Sequence, residues 1–415
     1  MAKNKSYNSI GKEEVRAAHK LMKAAMKNEA LLSGFLGRGN DKFFGGPMVR
    51  TLEDDFKKIF GSKHAVSFNS ATTALQAAVA ALGIGPGDQV ITSPFTMSAT
   101  PASVLFNGAV PVFADIDPKT YCMSAQTIER KITPQTKAII VVNLFGGSAD
   151  FDAIKKLAAR HSLKIIEDNA QAPGAMYQGR YTGTIGDIGV FSFNVHKAIQ
   201  AGEGGMLVTN NNRYAYRAQL VRNHGEMAAD DFWKKGRAYQ ELVVGNNYRL
   251  TEFQAAIMIE QLKKLNRFNA QRIELAHHLT ENLKKFDWIS PAHVLPGNKH
   301  VYYLYPLRFN AERAGISRNT FVAFMKKRGF DLQEGYQKPI YLLPIYQKKR
   351  IYAHSQFPFI SKEYPQRVSY TKGICPVAES MFEKELVVTN ICQPPRTKRD
   401  IDSFIKALFA IESHD

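Results

Sequence analysis

Apolar residues along this chain follow two rhythms, and their alternation predicts the architecture. Within residues 11–27, Val15, Ala18, Leu21, Met22 and Ala25 stand between charges at helical spacing, so the stretch reads as an amphipathic helix. A glycine-rich link, 34–46, and Pro47 follow it. From about Thr51, short apolar runs and amphipathic stretches take turns. The pattern predicts helix 52–60, strand 65–68, helix 74–82, strand 89–92, helix 99–107, strands 110–114 and 138–143, helix 151–161 and strand 163–167. Strand 205–209 then leads to a basic helix and a long helix, 251–268, with apolar residues at Phe253, Ala256, Ile257 and Leu262. Such alternation argues for an α/β fold with a mostly parallel central sheet flanked by helices. Ligands of such sheets gather at the carboxyl ends of the strands.

From about Arg272 the pattern shifts to a helix, a tyrosine-rich strand (301–309), another helix, a loop-rich tract (336–373) and a last helix (399–411). The predicted organisation is an N-terminal helix and link (1–50), a large domain (51–270) and a smaller C-terminal α+β domain (271–415), because 415 residues exceed one ordinary core. A hydrophobic fraction of 45% with 22% charged residues is globular rather than disordered. The longest apolar runs, such as 138–142, are too short to span a bilayer, and residues 1–9 lack the apolar centre of a secretory signal. Cys122, Cys375 and Cys392 lie far apart, with no spacing of a metal site or disulfide framework, which points to a reducing cytoplasm. The formal charge of +18 favours nucleic acid, an anionic membrane or a phosphorylated substrate. Its basic residues are spread along the chain in short runs such as Lys348-Lys349-Arg350, the distribution of a solvated face, so neither nucleic acid nor membrane is expected as a partner.

Four segments carry chemistry. In Asn69-Ser70-Ala71-Thr72-Thr73, a strand ends in small and hydroxyl residues where a helix begins, offering backbone N–H groups and hydroxyls to an anion such as phosphate. The buried strand ending Ile166-Glu167-Asp168 delivers a poorly solvated acid that wants a cationic partner; a pyridinium N–H supplies one, with Gln171 in reach of the ring's phenolic oxygen. In the segment from Ser192 to Gly205, Ser192 adds a hydroxyl to the phosphate seat, and the Lys197 amine, ahead of a glycine turn, is placed as a Schiff-base lysine and proton carrier. Gly245 to Glu252, with Asn247 and Arg249, offers polar groups at the start of the long helix.

These residues resemble the DegT/DnrJ/EryC1/StrS family of pyridoxal-phosphate-dependent sugar aminotransferases. The resemblance runs from about Gly11 through Leu265, through Gly46-Pro47, residues 81–88 (ALGIGPGD), Asp115-Ile116-Asp117, Ile132-Thr133-Pro134, Gly179-Arg180 and 202–205, and returns at Cys375-Pro376-Val377-Ala378-Glu379. It implies the aspartate aminotransferase-like (type I) fold with Lys197 as the catalytic lysine, Asp168 at the pyridine nitrogen, Gln171 beside the ring hydroxyl, and Ala71, Thr72 and Ser192 at the phosphate. It further implies that Asn247 reaches the neighbouring subunit's cofactor, hence a homodimer with shared active sites, using L-glutamate and a nucleotide-linked keto sugar. Where many relatives stack an aromatic residue on the cofactor ring, this chain has Met97, which covers a π face through sulfur, and Phe95 is the alternative. His224, Arg249 and Tyr341, the last standing where relatives often carry His, are candidates to touch substrate, and no metal site is expected. Three other readings compete. One is a dehydratase of the same family, whose histidine at the lysine position would correspond to His196, one residue short. The others are a type I enzyme of small amino acids using Arg249 or Arg222, and a non-enzymatic basic regulatory or nucleic-acid-binding protein.

Overall fold

The computed structural model describes residues 7–27, 32, 41–226, 242–365 and 367–412. Most of the predicted link therefore lies outside the described residues, and its end, Asp41–Phe44, is a single helical turn.

The strands run, in chain order, β1 (His64–Phe68), β2 (Gln89–Thr92), β3 (Val110–Phe113), β4 (Thr136–Val142), β5 (Lys164–Asp168), a small hairpin of β6 (Met176–Tyr177) and β7 (Arg180–Tyr181), then β8 (Ile188–Ser192) and β9 (Gly205–Thr209). Seven of these form the central sheet, in the order β1-β9-β8-β5-β4-β2-β3. Strands β2, β3, β4, β5 and β8 pair in parallel, and β9 alone runs against its neighbours β8 and β1. Helices cover the sheet, so strands such as β2 and β8 are buried along their whole length, as parallel strands require.

Helix starts extend earlier than periodicity predicts because capping decides them. The helix expected at 74 spans Ala71–Ala81, since the Ser70 hydroxyl accepts the Thr73 N–H at 3.1 Å. The helix expected at 52 spans Pro47–Phe60, where proline occupies the first turn and the carboxylate of Glu252 accepts the N–H groups of Met48 (2.6 Å) and Val49 (3.2 Å). That cap comes from a residue far along the chain.

A second sheet, in the order β10-β11-β13-β12, pairs β10 (Ile289–Pro291), β11 (Tyr305–Phe309), β12 (Leu332–Glu334) and β13 (Leu386–Thr389) antiparallel throughout. One helix, Glu252–Leu283, begins in a Thr251–Gln254 capping box and serves both sheets. Its Ala255–Phe268 portion packs with β9 residues, whereas Leu275, Leu279 and Leu283 pack with β11 and the last helix, Lys398–Glu412. The boundary expected at 270/271 falls inside this helix, where one core gives way to the other. The N-terminal helix Lys12–Met26 is fixed to it by the Lys264–Glu14 ion pair at 2.7 Å.

Much of the described chain between 340 and 381 turns back from the small sheet to the large one. Ile340, Tyr341, Tyr346, Tyr370, Cys375 and Met381 join Val112 and Phe113 in the large core. The Tyr370 hydroxyl donates to the Pro111 carbonyl at 2.8 Å, and Gln89 donates to the Tyr364 hydroxyl. This tract covers β3, an edge strand that would otherwise expose a pairing surface.

Candidate active site

Strand register assembles the first part of the site. Phe68 at the end of β1 pairs with Gly205, and Gly205 pairs with Ser192, so β1, β9 and β8 meet in one row where the helix Ala71–Ala81 begins. A Cβ on Gly205 would stand 2.6 Å from the Ala71 nitrogen and 2.7 Å from the Ser70 oxygen, so only glycine lets the strand approach this closely. The Ser70 hydroxyl caps the helix start by accepting the Thr73 N–H, and the first-turn N–H groups open at the end of the row that carries Ser192, an arrangement suited to an anion.

On β5, alternation sends adjacent acids to opposite faces. Glu167, fully buried, accepts from the N–H groups of Gly183 (2.6 Å), Ile185 (2.6 Å) and Gly186 (2.7 Å) and from Asn143 Nδ2 (3.3 Å), and so holds the loop before β8. Asp168 faces the site, where its Oδ2 accepts from the Thr100 hydroxyl at 2.7 Å and its Oδ1 from the Ala170 N–H at 3.2 Å. Burial pushes the Asp168 carboxyl up, while those hydrogen bonds and the charge of Lys197 pull it back. Gln171 Oε1 accepts the Phe145 N–H (2.9 Å) and its Nε2 donates to the Tyr336 hydroxyl (2.8 Å), so its amide is held toward the site by both chain segments.

Lys197 follows β8 in a turn closed by its own N–H donating to the Asn194 carbonyl at 2.9 Å. Its Nζ lies 4.6 Å from the centre of the Tyr303 ring. Burial brings the amine down to about 8, against the opposing pull of Asp168. The structure thus brings Lys197, Asp168 and Gln171 to the same strand ends as the anion seat.

The remaining expected residues are placed less uniformly. Phe95 is fully buried with its ring against Tyr336 (5.8 Å between centroids), whereas Met97 is 54% exposed and free to lie over a ring. Asn247 and His224 are exposed, the latter with φ +62°. Arg249 is half-buried with Nη1 3.5 Å from Asn223 Oδ1. Arg222, 2% exposed, has both terminal nitrogens taken, Nη1 by Glu53 at 2.8 Å and Nη2 by the Phe43 carbonyl, so no fork is free for a substrate carboxylate. Tyr341 corrects the expectation made for it: it has no exposed surface, its hydroxyl donates to Glu379, and its ring packs against Phe113, so it is a core residue of the edge cover. Sequence reasoning missed Thr100, Tyr303 and Tyr336. Thr100 sits one helical step inside an unremarkable helix, and the two tyrosines come from loops whose path the pattern does not show.

A pyridoxal phosphate fits these residues. The glycine-permitted helix start would hold its phosphate, and the buried Asp168, whose present partners are a hydroxyl and one N–H, would meet its pyridinium nitrogen. Sheet, anion seat, acid and lysine together define an aminotransferase of the type I pyridoxal-phosphate fold. Comparison gives the family: the profile of the DegT/DnrJ/EryC1/StrS aminotransferase family matches residues 37–388, and the chain belongs to that family of pyridoxal-phosphate-dependent sugar aminotransferases. It is 35% identical over 364 residues to the spore coat polysaccharide biosynthesis protein SpsC of Bacillus subtilis, covering 87% of this chain and 89% of that one. It is 36% identical over 302 residues to the GDP-perosamine synthase of Caulobacter vibrioides, covering 72% and 79%. The solved aminotransferase from Psychrobacter cryohalolentis superposes with a TM-score of 0.85 at 26% identity over 99% of both chains. No helix among the described residues is long and apolar enough to cross a membrane.

Proposed function

We propose that this enzyme moves the amino group of L-glutamate to the keto group of a nucleotide-linked deoxy sugar, as a cytoplasmic homodimer making an amino sugar for a surface polysaccharide, glycan or antibiotic. The observation that carries the reading is the amine of Lys197 standing within the electrostatic reach of the buried Asp168 carboxylate, at strand ends shared with the helix start at Ala71.

When bound, pyridoxal phosphate supplies the sink for the electrons released as a C–H bond next to nitrogen breaks. This chain's residues do the rest. Asp168, held by Thr100 and Ala170, keeps negative charge at the pyridine nitrogen. With the cofactor bound, Lys197 Nζ would take the proton from the donor carbon and return it to the neighbouring carbon position, and in the return half, with the keto sugar bound, would move the proton the other way. An amine brought down to about 8 is well matched to both tasks near neutral pH. Gln171, anchored by Phe145 and Tyr336, steadies the ring hydroxyl. The exposed Asn247 is available to the neighbouring subunit, and the excess of Lys and Arg favours a diphosphate-bearing acceptor. The dehydratase reading is weaker here, because a lysine stands beside Asp168 while His196 is exposed.

The deciding experiment adds L-glutamate to the purified yellow protein. Bleaching with release of 2-oxoglutarate, abolished in Lys197→Ala, followed by recovery of colour with a keto-sugar nucleotide, is the expected result. A colour indifferent to glutamate, or full turnover by Lys197→Ala, would sink the proposal.

A further inference from the structure

The Lys197 amine rests on an aromatic face. Its Nζ stands over the Tyr303 ring, 4.6 Å from the centroid, and among the described residues it has no hydrogen-bond partner. An electron-rich ring face attracts an ammonium and is nearly indifferent to a neutral amine, so the contact favours the proton-bearing form. Burial acts the other way and disfavours the charge.

The backbone of Tyr303 is fixed from both cores. On the side of the large sheet, the Val301 N–H donates to the Gly146 carbonyl at 2.8 Å. A Cβ on Gly146 would stand 2.9 Å from the Tyr303 nitrogen, so a glycine at φ +98° lets the two segments meet. From the small domain, Gln393 Nε2 donates to the Tyr303 carbonyl at 2.6 Å. The ring is therefore placed by the fold rather than by the lysine.

The charged and titratable groups around the amine come from four other segments. Asp168 faces it from β5 and pulls it toward the ammonium. Tyr336, bonded to Gln171, lies within the electrostatic reach of both Tyr303 and Asp168. Arg272 acts on Tyr303 from the long helix and donates to the Tyr7 hydroxyl, which itself donates to the carbonyl of Ala198, the residue after Lys197. His196, on the same turn as Lys197, is exposed. Of these groups Asp168 favours the ammonium, and in the assembled site it would face the pyridinium. The ring face is then the attraction left to the amine.

Resting on the aminotransferase reading above, we infer that Tyr303 is a positioning residue for the transferred proton: its ring face holds the Lys197 ammonium between the carbon that gives the proton and the carbon that receives it. Without the face, burial acts unopposed and the amine gives up its proton at lower pH.

The test follows the yellow colour as full-length protein, stripped of cofactor, captures pyridoxal phosphate across a range of pH. Capture needs the neutral amine, so the midpoint of the profile reports the titration of Lys197. Tyr303→Leu removes the face and should lower the midpoint by about 0.4–1.5 pH units, the worth of one cation–π contact. Tyr303→Phe keeps the face and should keep the wild-type midpoint. Phenylalanines with successive ring fluorines at position 303 hold the size nearly constant while draining charge from the face, and the midpoint should step down with each fluorine. A midpoint that ignores the fluorines, or that rises in Tyr303→Leu as water enters, would overturn the inference. So would a Tyr303→Phe shift as large as that of Tyr303→Leu, which would assign the effect to the hydroxyl. If Tyr303→Leu fails to fold, the fluorine series decides. Wild-type protein that gains no colour at any pH defeats the site reading together with the inference, whereas coloured variants that share one midpoint defeat the inference alone.

Discussion

Substituting Glu167 by Gln tests whether the two neighbouring acids of β5 have separate tasks. Each Glu167 oxygen accepts two N–H groups: Oε1 from Ile185 and Gly186, Oε2 from Gly183 and Asn143. Burial pushes this carboxyl up, but all of these partners are donors, so a proton on either oxygen would have nothing to bind and the ionised form is the one that fits. An amide nitrogen must replace one oxygen. On the Oε1 side it opposes two backbone N–H groups. On the Oε2 side it opposes Gly183, and Asn143 gives relief only by turning its amide and losing its 2.9 Å bond to Asn169. Two charge-assisted bonds lost at about 1.5–3 kcal/mol each, partly offset by a charge no longer buried, leave a destabilisation of about 2–4 kcal/mol. Thermal melting of the holoenzyme at fixed protein and cofactor concentration should therefore fall by roughly 2–5 °C for a chain of 415 residues. Turnover below the transition should remain near wild type, because Glu167 faces away from Lys197. Asp168→Asn should show the converse, near-native melting with lost turnover. A variant Glu167→Gln that melts with the wild type would mean that Glu167 is protonated in the folded protein and would refute the reasoning.

Two further outcomes are expected. Gly205→Ala places a methyl 2.6 Å from the Ala71 nitrogen and so should weaken pyridoxal-phosphate binding by tenfold or more, the loss of one charged hydrogen bond, as read by titrating cofactor into stripped protein; an unchanged Kd would remove the Ala71 helix start from the phosphate seat. The amine of Lys197 captures an aldehyde only when neutral. Because its pKa is depressed to about 8, the rate of cofactor capture by stripped protein should rise with pH and level off above about 8, and a midpoint near the ordinary lysine value would show the amine to be solvated.

How far the sequence could be read depended on whether the deciding contact was local. Strands β2 and β9 were predicted to the residue, since their apolar runs stop at turn residues. Asp168 was legible because an acid ends an apolar run, and Lys197 because of its flanks. Strand β8 does not stand out in the pattern: Gly189 interrupts its run, and a Cβ there would stand 1.8 Å from the Gly183 carbonyl oxygen, a contact invisible to periodicity. The start of the helix Pro47–Phe60 was misplaced because Glu252 caps it from the far side of the fold. Tyr341 looked like a substrate contact by its neighbours in sequence, and only the return of 340–381 to the edge of the large sheet shows it as core.

The helix Glu252–Leu283 has a mechanical consequence. Its 32 residues make a rod about 48 Å long, clamped near its start by the Met48 and Val49 caps and at its far end by the core of the antiparallel sheet. A rod clamped in this way does not let the two sheets swing about a loose joint. It converts rotation at one end into travel at the other, so a tilt of about 5° carries the far end roughly 4 Å over that length. A small strain at the cap of the helix Pro47–Phe60 would therefore be carried along the rod to the packing of the antiparallel sheet, which ties the Glu252 carboxylate to a core far from it in the fold.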